Sequence, residues 1–337
     1  NYCEVIGASA RPDGGTALAV RDVLNGGQAE IGARVAVNAT GAWFEPVTEQ
    51  LAARRPGAVR TTKGVHLVVP PVTDRALVLY SQVDRRLLFA IPRCGLTWIG
   101  TTDTDFDGDP ADARATRADV DYLLASVRNV FPALRLDDVL YTTAGVRALV
   151  RQRGSESSVS RMHKIVVGGP IAPAGMISVL GGKITGYRAI AEDVSDAVCR
   201  QLGATGRRAV TAERPLPGAP SNGAHAPIVP AHLFDLYGRR AEDVLALAAS
   251  TPGLDRPLAP NYPDMGAQVV FSVRHEYCVR LSDFLRRRTL LGASDDQGWA
   301  AAPAAAAVMA SELGWSAGRV AGEIEAYQRE IEATRSF

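Results

Sequence analysis

The segment "SVLGGKITGYRAIAEDV", residues 178 to 194, decides the fold class because a strand changes into a helix within it. An aliphatic strand ends at Gly181 and Gly182, and from Lys183 onward apolar residues recur at helical spacing. The helix-face positions are Ile184, Tyr187, Ala191, Val194 and Val198. Two residues without β-carbons at the start of a helix let a ligand approach the backbone, and the first helical N–H groups favour negative charge. The alternative is an ordinary helix start with a solvated Lys183.

A second aliphatic strand also ends at a glycine, in "VAVNATGAW", residues 35 to 43. Ala39, Thr40 and Gly41 bring bare backbone to the carboxyl end of this strand, where ligands bind in open α/β sheets. Gly41 could equally serve only to turn the chain. The sequence contains neither G-x-G-x-x-G nor G-x-x-x-x-G-K-[ST], so neither segment is a phosphate loop of the two common kinds.

Outside these two segments, the spacing of apolar residues divides the chain into a mixed α/β part and a helical part. Residues 1 to 202 contain short strand-like runs such as "KGVHLVVP" and "LTWIGTT" and a helical stretch at 117 to 131. They also contain a predicted hairpin, in which the strands "TALAVRDV" and "IGARVAVNAT" are joined by the turn "NGGQ". Residues 203 to 230 are rich in Gly, Ala and Pro and are predicted to be a linker. Beyond them, helical stripes at 269 to 284 and 320 to 331 flank an Ala-rich helix, which predicts a small helical domain.

Composition excludes several classes of protein. The chain has 337 residues, a formal net charge of +1 and 22% charged residues. It therefore lacks the excess of basic residues expected of a nucleic-acid binder. No secretory signal is visible in this sequence, and no apolar run approaches the ~20 residues of a membrane-spanning helix. The scattered cysteines are predicted to be buried free thiols in a reducing compartment: Cys3, Cys94, Cys199 and Cys278. The opening "NYCEV" reads as the middle of a strand, so we expect a longer N-terminus.

The stretch "TTDTDFDGDP", residues 101 to 110, begins like a calcium-binding loop. Such a loop needs a carboxylate at its twelfth position and a helix on each side. Counting from Asp103, the twelfth residue is Arg114, and the stretch follows a strand. We therefore predict a strand-to-helix turn that uses the backbone preferences of Asp and Gly, with no metal.

Isolated polar residues on otherwise apolar strands are candidates for a binding site. His66 lies in "KGVHLVVP", Arg147 in "TAGVRALV" and Arg161 in "SVSRMHK". Together with Lys183 they would suit a small phosphate ester, because guanidinium groups match phosphate oxygens. The alternatives are a packed or surface histidine and arginines in structural salt bridges.

Taken together, these segments resemble the FAD-dependent glycerol-3-phosphate dehydrogenases, within the D-amino-acid-oxidase-like flavoproteins. The matching segments follow the family's order over nearly the whole chain: "VNATGAW", "KGVHLVVP", "LLFAIPRCGLTWIGTTDTDFDGDP", "AGVRALV", "GGKITGYRAIAEDV", "RHEYCVRLSDFLRRRTLLG" and "ASELGW". The most specific are "IGTTDTDFDGDP" and "GGKITGYR". The family's N-terminal glycine turn has no counterpart here, "GVRALV" stands for its "GVRPL", and Gly186 replaces a threonine.

The resemblance implies a mixed α/β (α+β) fold with three parts. These are part of a Rossmann-like FAD-binding domain, an antiparallel-sheet substrate domain and a C-terminal helical domain. The expected division is FAD-binding at 1–52 and 151–202, substrate-binding sheet at 53–150, linker at 203–230 and helices at 231–337.

The resemblance also implies oxidation of sn-glycerol 3-phosphate to dihydroxyacetone phosphate by hydride transfer to FAD. It places four residues around the substrate: His66, Arg147, Arg161 and Lys183. It places nine around FAD: Ala39, Thr40, Gly41, Trp43, Gly181, Gly182, Lys183, Ile184 and Thr185. We favour His66 as the base, since an imidazole pKa of about 6.5 suits proton removal at neutral pH. Arg147 would bind and polarise the reacting oxygen, Arg161 would bind phosphate, and Lys183 would contact both substrate and flavin.

Alternatives stay open for the electron acceptor, the substrate, the location and the oligomeric state. The family's electron acceptor is a quinone, but some relatives use oxygen, and the chain could instead be a non-catalytic fragment unable to hold FAD. An amine or a 2-hydroxy acid is an alternative substrate. A cytoplasmic location, with or without peripheral contact with the cell membrane, fits the family, and a homodimer stays open. The run Arg286-Arg287-Arg288 could touch anionic lipid or form a solvated helix end.

Overall fold

The structure is a computed structural model that describes residues 1–151, 162–169, 175–204, 206–219 and 229–337. Within these ranges the chain forms twelve strands and nine α-helices. The strands are β1 (Cys3–Ala10), β2 (Thr16–Asp22), β3 (Gln28–Ala33), β4 (Ala36–Asn38), β5 (Val59–Val69), β6 (Leu77–Tyr80), β7 (Leu87–Arg93), β8 (Leu96–Gly100), β9 (Thr104–Asp105), β10 (Tyr141–Val150), β11 (Lys164–Val167) and β12 (Met176–Leu180). The helices are α1 (Phe44–Ala52), α2 (Arg117–Val127), α3 (Tyr187–Gln201), α4 (Ala231–Tyr237), α5 (Ala241–Ser250), α6 (Gly266–His275), α7 (Leu281–Asp283), α8 (Ala302–Leu313) and α9 (Ala317–Arg335). The mixed fold with a helical C-terminal part is therefore confirmed.

The chain packs as two compact units, each assembled from separated stretches of sequence. The first unit comprises Asn1–Gly64, Thr102–Ala113 and Ala144–Arg214. The second unit comprises Val65–Thr101, Arg114–Thr143 and Pro215–Phe337. Both β5 and β10 contribute residues to each unit.

One antiparallel sheet of the first unit has the order β1-β2-β3. The predicted hairpin is confirmed: β2 pairs with β3 from Thr16↔Ala33 to Arg21↔Gln28. Asp22 accepts N–H bonds from the turn, and these hydrogen bonds hold the pKa of its carboxyl below the usual value. The single strand predicted over "IGARVAVNAT" is wrong. It breaks after β3, and β4 joins a different sheet.

That second sheet, β11-β12-β4, sets the position of the candidate site. β12 is antiparallel to β11 but parallel to β4, with Met176 opposite Ala36 and Ser178 opposite Asn38. The carboxyl ends of parallel neighbours lie at the same edge of a sheet. The segments that follow β4 and β12 therefore leave this edge side by side, and they lead into α1 and α3 respectively.

A third sheet has the order β10-β5-β8-β7-β6, and β9 also pairs with β5. Leu67, Ile99 and Ala90 occupy one face and are fully buried. His66 lies on the opposite face, because successive residues of a strand point to opposite sides. It pairs with Gly100 of β8, which in turn pairs with Phe89 of β7. The strand predictions from "KGVHLVVP" to "LTWIGTT" are confirmed.

From residue 229 onward, the described chain is helical apart from one isolated β-bridge. The Ala-rich segment forms α8, and its Ala302, Ala305 and Ala306 are fully buried, as expected for a tightly packed helix. The continuous stripe predicted over 269 to 284 is wrong. α6 ends at His275, Tyr277 is 78% exposed with φ 52°, and a new helix begins at Leu281.

The cysteines only partly match expectation. All four are free thiols, but Cys3 and Cys94 are exposed, so their predicted burial is wrong. Cys94 is exposed because it forms, with Gly95, the left-handed turn between β7 and β8. Cys278 is buried, and burial raises the pKa of its thiol to about 12. In the described part of the chain, no helix has both the length and the apolarity to span a bilayer.

Candidate functional site

The glycine turn after β12 is fixed both by its backbone and by its neighbours. Gly181 and Gly182 have φ of +63° and +98°, a region that residues with a β-carbon adopt only at a cost. A Cβ added to Gly181 would lie 2.6 Å from Val150 Cγ2, and one on Gly182 would lie 2.6 Å from Ile190 Cδ1. The positive φ values and the local packing together account for both glycines. Val150 belongs to β10, the strand that also carries Arg147.

The segment after this turn presents backbone N–H groups without competition from side chains. A 3-10 turn spans Ile184–Gly186 and continues directly into α3. Neither start has a side-chain cap, and neither first turn contains an acidic residue. The first N–H groups of a helix favour negative charge under these conditions. Lys183 and Thr185 are exposed here, and Ile184 is 87% exposed.

The loop Ala39–Trp43 leaves the same sheet edge and is held at both ends. Asn38 Oδ1 accepts a hydrogen bond from Thr40 Oγ1 at 2.7 Å, and Asn38 Nδ2 donates to Thr48 Oγ1 at 3.1 Å. Trp43 Nε1 donates to Asp109 Oδ1 at 3.1 Å, while the ring stays 44% exposed. Gly41 has φ +58° with open space around it. The sequence predicted the loop but missed Asn38 and Asp109, which hold it.

The two loops together present exposed apolar side chains and backbone N–H donors. Ile184, Tyr187 and Trp43 supply exposed apolar surface, and the uncapped N–H groups of Ile184 and Thr185 supply donors. The N–H of Gly186 donates to Lys183 O at 2.9 Å. That these loops bind a ligand with an anionic edge stays a prediction.

Arg147 of the first unit is held by the acidic stretch that resembled a calcium loop. Its Nη1 donates to Thr102 O and to Asp103 Oδ1, each at 3.2 Å. Asp105 pairs with Arg60 at 2.7 Å, and Asp109 caps a 3-10 turn at Pro110–Asp112. In the described ranges no cluster of three His, Cys, Asp or Glu residues could hold a metal. The stretch therefore organises charged side chains.

Glu45 is a buried residue that the sequence did not single out. Its carboxylate accepts the N–H groups of Gly57, Ala58 and Val59 at 2.8, 2.6 and 2.8 Å. It thereby fixes the entry into β5, the strand that carries His66 farther along. A glutamate in the first turn of a helix gives no sign of this role in the sequence, because its partners follow 12 to 14 positions later.

His66 of the second unit lies among polar and aromatic neighbours. Its Nδ1 is 3.5 Å from Thr143 Oγ1, and its ring centroid is 6.2 Å from that of Trp98. Trp98 makes an edge contact with Tyr141, whose hydroxyl pKa is raised by burial. Of the four predicted substrate residues, Arg147 and Lys183 belong to the first unit and His66 to the second. Arg161 lies outside the described residues.

The three arginines of the basic run all have partners within the protein. Arg286 Nη1 donates to Glu330 at 2.9 Å and Arg287 Nη1 to Asp283 Oδ1 at 3.1 Å. Arg288 Nη2 donates to Glu276 O at 2.6 Å. These partners within the protein favour a helix end over contact with anionic lipid as the interpretation of the run.

Comparison with known proteins gives consistent matches along the chain. Residues 1–188 match the family described as "FAD dependent oxidoreductase", and residues 184–320 match "C-terminal domain of alpha-glycerophosphate oxidase". The chain is 33% identical to "Glycerol-3-phosphate dehydrogenase" of Synechocystis over 94% of its length. It is 35% identical to "Glycerol-3-phosphate dehydrogenase 2" of Mycobacterium tuberculosis, also over 94%. It spans 62% and 56% of these two relatives, respectively.

A solved structure supports the same relationship. The glycerol-3-phosphate dehydrogenase from Bacillus halodurans, complexed with FAD, is similar with a TM-score of 0.78 and 28% sequence identity. The match covers 99% of this chain and 69% of that one.

Proposed function

The chain belongs to the family of FAD-dependent oxidoreductases, and from this premise we propose that it oxidises sn-glycerol 3-phosphate to dihydroxyacetone phosphate. The observation that carries the proposal is the similarity to glycerol-3-phosphate dehydrogenases along 94% of the chain. The match of residues 184–320 to the C-terminal domain of a glycerophosphate oxidase supports the same substrate. Because the chain spans about half to two thirds of its relatives, the activity is assigned to the full-length protein.

FAD is the cofactor of this family, and the loops Ala39–Trp43 and Gly181–Thr185 are the proposed contacts for its ring system. Bound FAD would supply the acceptor for the hydride that leaves C2 of the substrate. The uncapped N–H groups after Lys183 would stabilise negative charge at the ring edge. Ile184 and Trp43 would lose their exposure under the ring.

The resemblance places these residues around the substrate, and their roles are assigned on chemical grounds. His66 would accept the proton of the C2 hydroxyl through a ring nitrogen as the carbonyl forms. Arg147 would bind and polarise the reacting oxygen, since a guanidinium stays charged and donates several hydrogen bonds. Its bonds to Thr102 O and Asp103 would fix its direction. Arg161 would bind the phosphate, and Lys183 would contact both substrate and ring.

We propose a quinone as the electron acceptor, with oxygen as the alternative that the oxidase-type C-terminal domain keeps open. No membrane contact is assigned to Arg286-Arg287-Arg288, because their partners lie within the protein. Anaerobic turnover with a soluble quinone, compared with peroxide formation in air, separates the two acceptors.

The proposed function is tested on full-length protein. We expect bound flavin, and its bleaching by sn-glycerol 3-phosphate but not by glycerol or a 2-hydroxy acid. Colourless protein would favour a non-catalytic module, and bleaching by a 2-hydroxy acid would reassign the substrate.

The role of His66 has a separate test. Replacing His66 with alanine should lower kcat by about 100-fold or more, since general base catalysis contributes at that level. Turnover within a few-fold of the wild-type value would rule out His66 as the base, while the substrate assignment would stand.

A further inference from the structure

Two glycines lie directly beneath the side chains of Arg147 and His66. In the first unit, a Cβ built on Gly64 would lie 2.7 Å from both Cζ and Nη1 of Arg147. In the second unit, a Cβ on Gly100 would lie 2.6 Å from Cδ2 and 2.9 Å from Cγ of His66. Non-bonded carbon atoms normally stay about 3.5–4.0 Å apart. Neither side chain could keep its place over an alanine.

The backbone does not require glycine at either position. Gly64 and Gly100 lie inside β5 and β8, and neither is among the residues with positive φ. Glycine within a strand weakens the strand, and it often marks a site where another group approaches closely. The close neighbours here are the guanidinium and the imidazole. The guanidinium above Gly64 therefore accounts for the first glycine. At Gly100 the imidazole and the carbonyl oxygen of Val65 both leave no room for a Cβ.

We propose that Gly64 and Gly100 are positioning residues for the oxidation reaction: Gly64 sets the height of the Arg147 guanidinium above β5, and Gly100 sets that of the His66 imidazole above β8. The expected effects on KM and kcat rest on the proposed function. The expected displacement of the two side chains does not.

The two positions differ in what an added methyl group would displace. At Gly64 the three nearest atoms all belong to the end of the Arg147 side chain, which can swing away without moving the backbone. Its bonds to Thr102 O and Asp103 would then be lost, and the fold would be kept. At Gly100 the carbonyl oxygen of Val65 also lies 2.9 Å from the added Cβ. Strain in the backbone would therefore accompany the displacement of the imidazole.

The Gly64→Ala variant of the full-length protein tests the first half of the proposal. We expect KM for sn-glycerol 3-phosphate to rise about tenfold, because small misplacements of a binding group are costly, with the melting temperature unchanged. Gly7→Ala is the matched control. Gly7 also lies within a strand, but its added Cβ would make an ordinary contact of 3.5 Å with Ala19 Cβ. An unchanged KM, or a melting temperature that falls in Gly64→Ala, would overturn the assignment.

A double-variant comparison shows whether Gly64 acts through Arg147. In an Arg147→Ala background, Gly64→Ala should change neither kcat nor KM further, because the displaced group is gone. A further loss in the double variant would mean that Gly64 acts through another contact, and the proposal would fail.

The Gly100→Ala variant tests the second half, with the opposite kinetic signature. Displacing the base should lower kcat by about tenfold or more with little change in KM. A crystal structure should show the imidazole moved from its place opposite β8, and in Gly64→Ala the guanidinium moved away from Asp103. These structural readouts hold even if sn-glycerol 3-phosphate proves not to be the substrate. Side chains found in their original places would overturn the proposal.

Discussion

Asp103 shows how a motif that looks like a metal loop serves a different purpose. Its carboxylate pairs with Arg147 at 3.2 Å, across 44 positions of sequence. The sequence excluded calcium because Arg114 takes the place of a ligand, and it identified Arg147 as an isolated cation. It could not pair the two, because no periodicity links residues so far apart.

The first prediction concerns this pair. Asp103→Asn should raise KM for sn-glycerol 3-phosphate about threefold to fivefold with little loss of stability, since partly exposed ion pairs contribute at most ~1 kcal/mol. Steady-state kinetics and thermal melting measure the two effects. Asp105→Asn removes the neighbouring pair with Arg60 and is the control. Equal KM values for the two variants would contradict a specific role for Asp103.

A second residue, Asp264, is a buried carboxyl in the helical part of the second unit. Burial raises its pKa above the usual aspartate value, although Gln268 Nε2 donates to its Oδ1 at 2.9 Å and the charge of nearby His232 opposes the shift. A pKa that is raised on folding means that the folded state holds the proton more tightly than the unfolded state. Its contribution to stability is therefore lost as the pH rises through the folded-state pKa.

The second prediction follows from the direction of this pKa shift. Asp264→Asn should be more stable than wild type at pH 7, because the amide keeps an acceptor for Gln268 and carries no buried charge. The difference in the free energy of unfolding should shrink as the pH falls toward 4. Urea unfolding across this range measures it, and Asp255→Asn, at an exposed position, is the control. A difference that grows on acidification would contradict the assignment.

At the scale of elements, α8 depends on the small size of its side chains. Ala302, Ala305 and Ala306 are fully buried in a cluster that includes Met309 and Tyr327. The Ala-rich composition predicted a tightly packed helix, and the burial confirms it. Close packing leaves little room for added atoms.

The third prediction uses two adjacent alanines of this helix. Ala306→Leu should lower the free energy of unfolding by about 1–3 kcal/mol, because extra methylenes in a packed core force strain. Ala307→Leu should be nearly neutral, since Ala307 is exposed. Denaturant unfolding of both variants measures the difference. Similar losses at both positions would show that the core around α8 is not closely packed.

Other elements show where sequence patterns stop being informative. The apolar pattern of "IGARVAVNAT" predicts one strand, yet β3 and β4 belong to different sheets, because alternation does not specify a partner. The stripe from Val269 to Phe284 keeps helical spacing across a break at Tyr277, whose side chain is mostly exposed. Spacing alone cannot distinguish a continuous helix from two that happen to be in phase.

At the scale of the molecule, the sequence predicted the mixed fold, the helical C-terminal part and the two glycine loops. It did not predict that each compact unit combines three separated stretches of chain. The division into domains at 1–52, 53–150, 151–202, 203–230 and 231–337 remains our proposal. Pattern reasoning works along the chain, whereas these units depend on contacts between distant stretches.

The interleaved construction of the two units has a consequence for biosynthesis. Val65, Leu67, Val68 and Val69 are fully buried in the finished protein, in a unit that also requires Pro215–Phe337. A ribosome releases this aliphatic strand long before those helices emerge, so the nascent polypeptide carries it before the helical part of its unit has been made. Molecular chaperones that shield exposed hydrophobic segments during translation would be needed most in that interval.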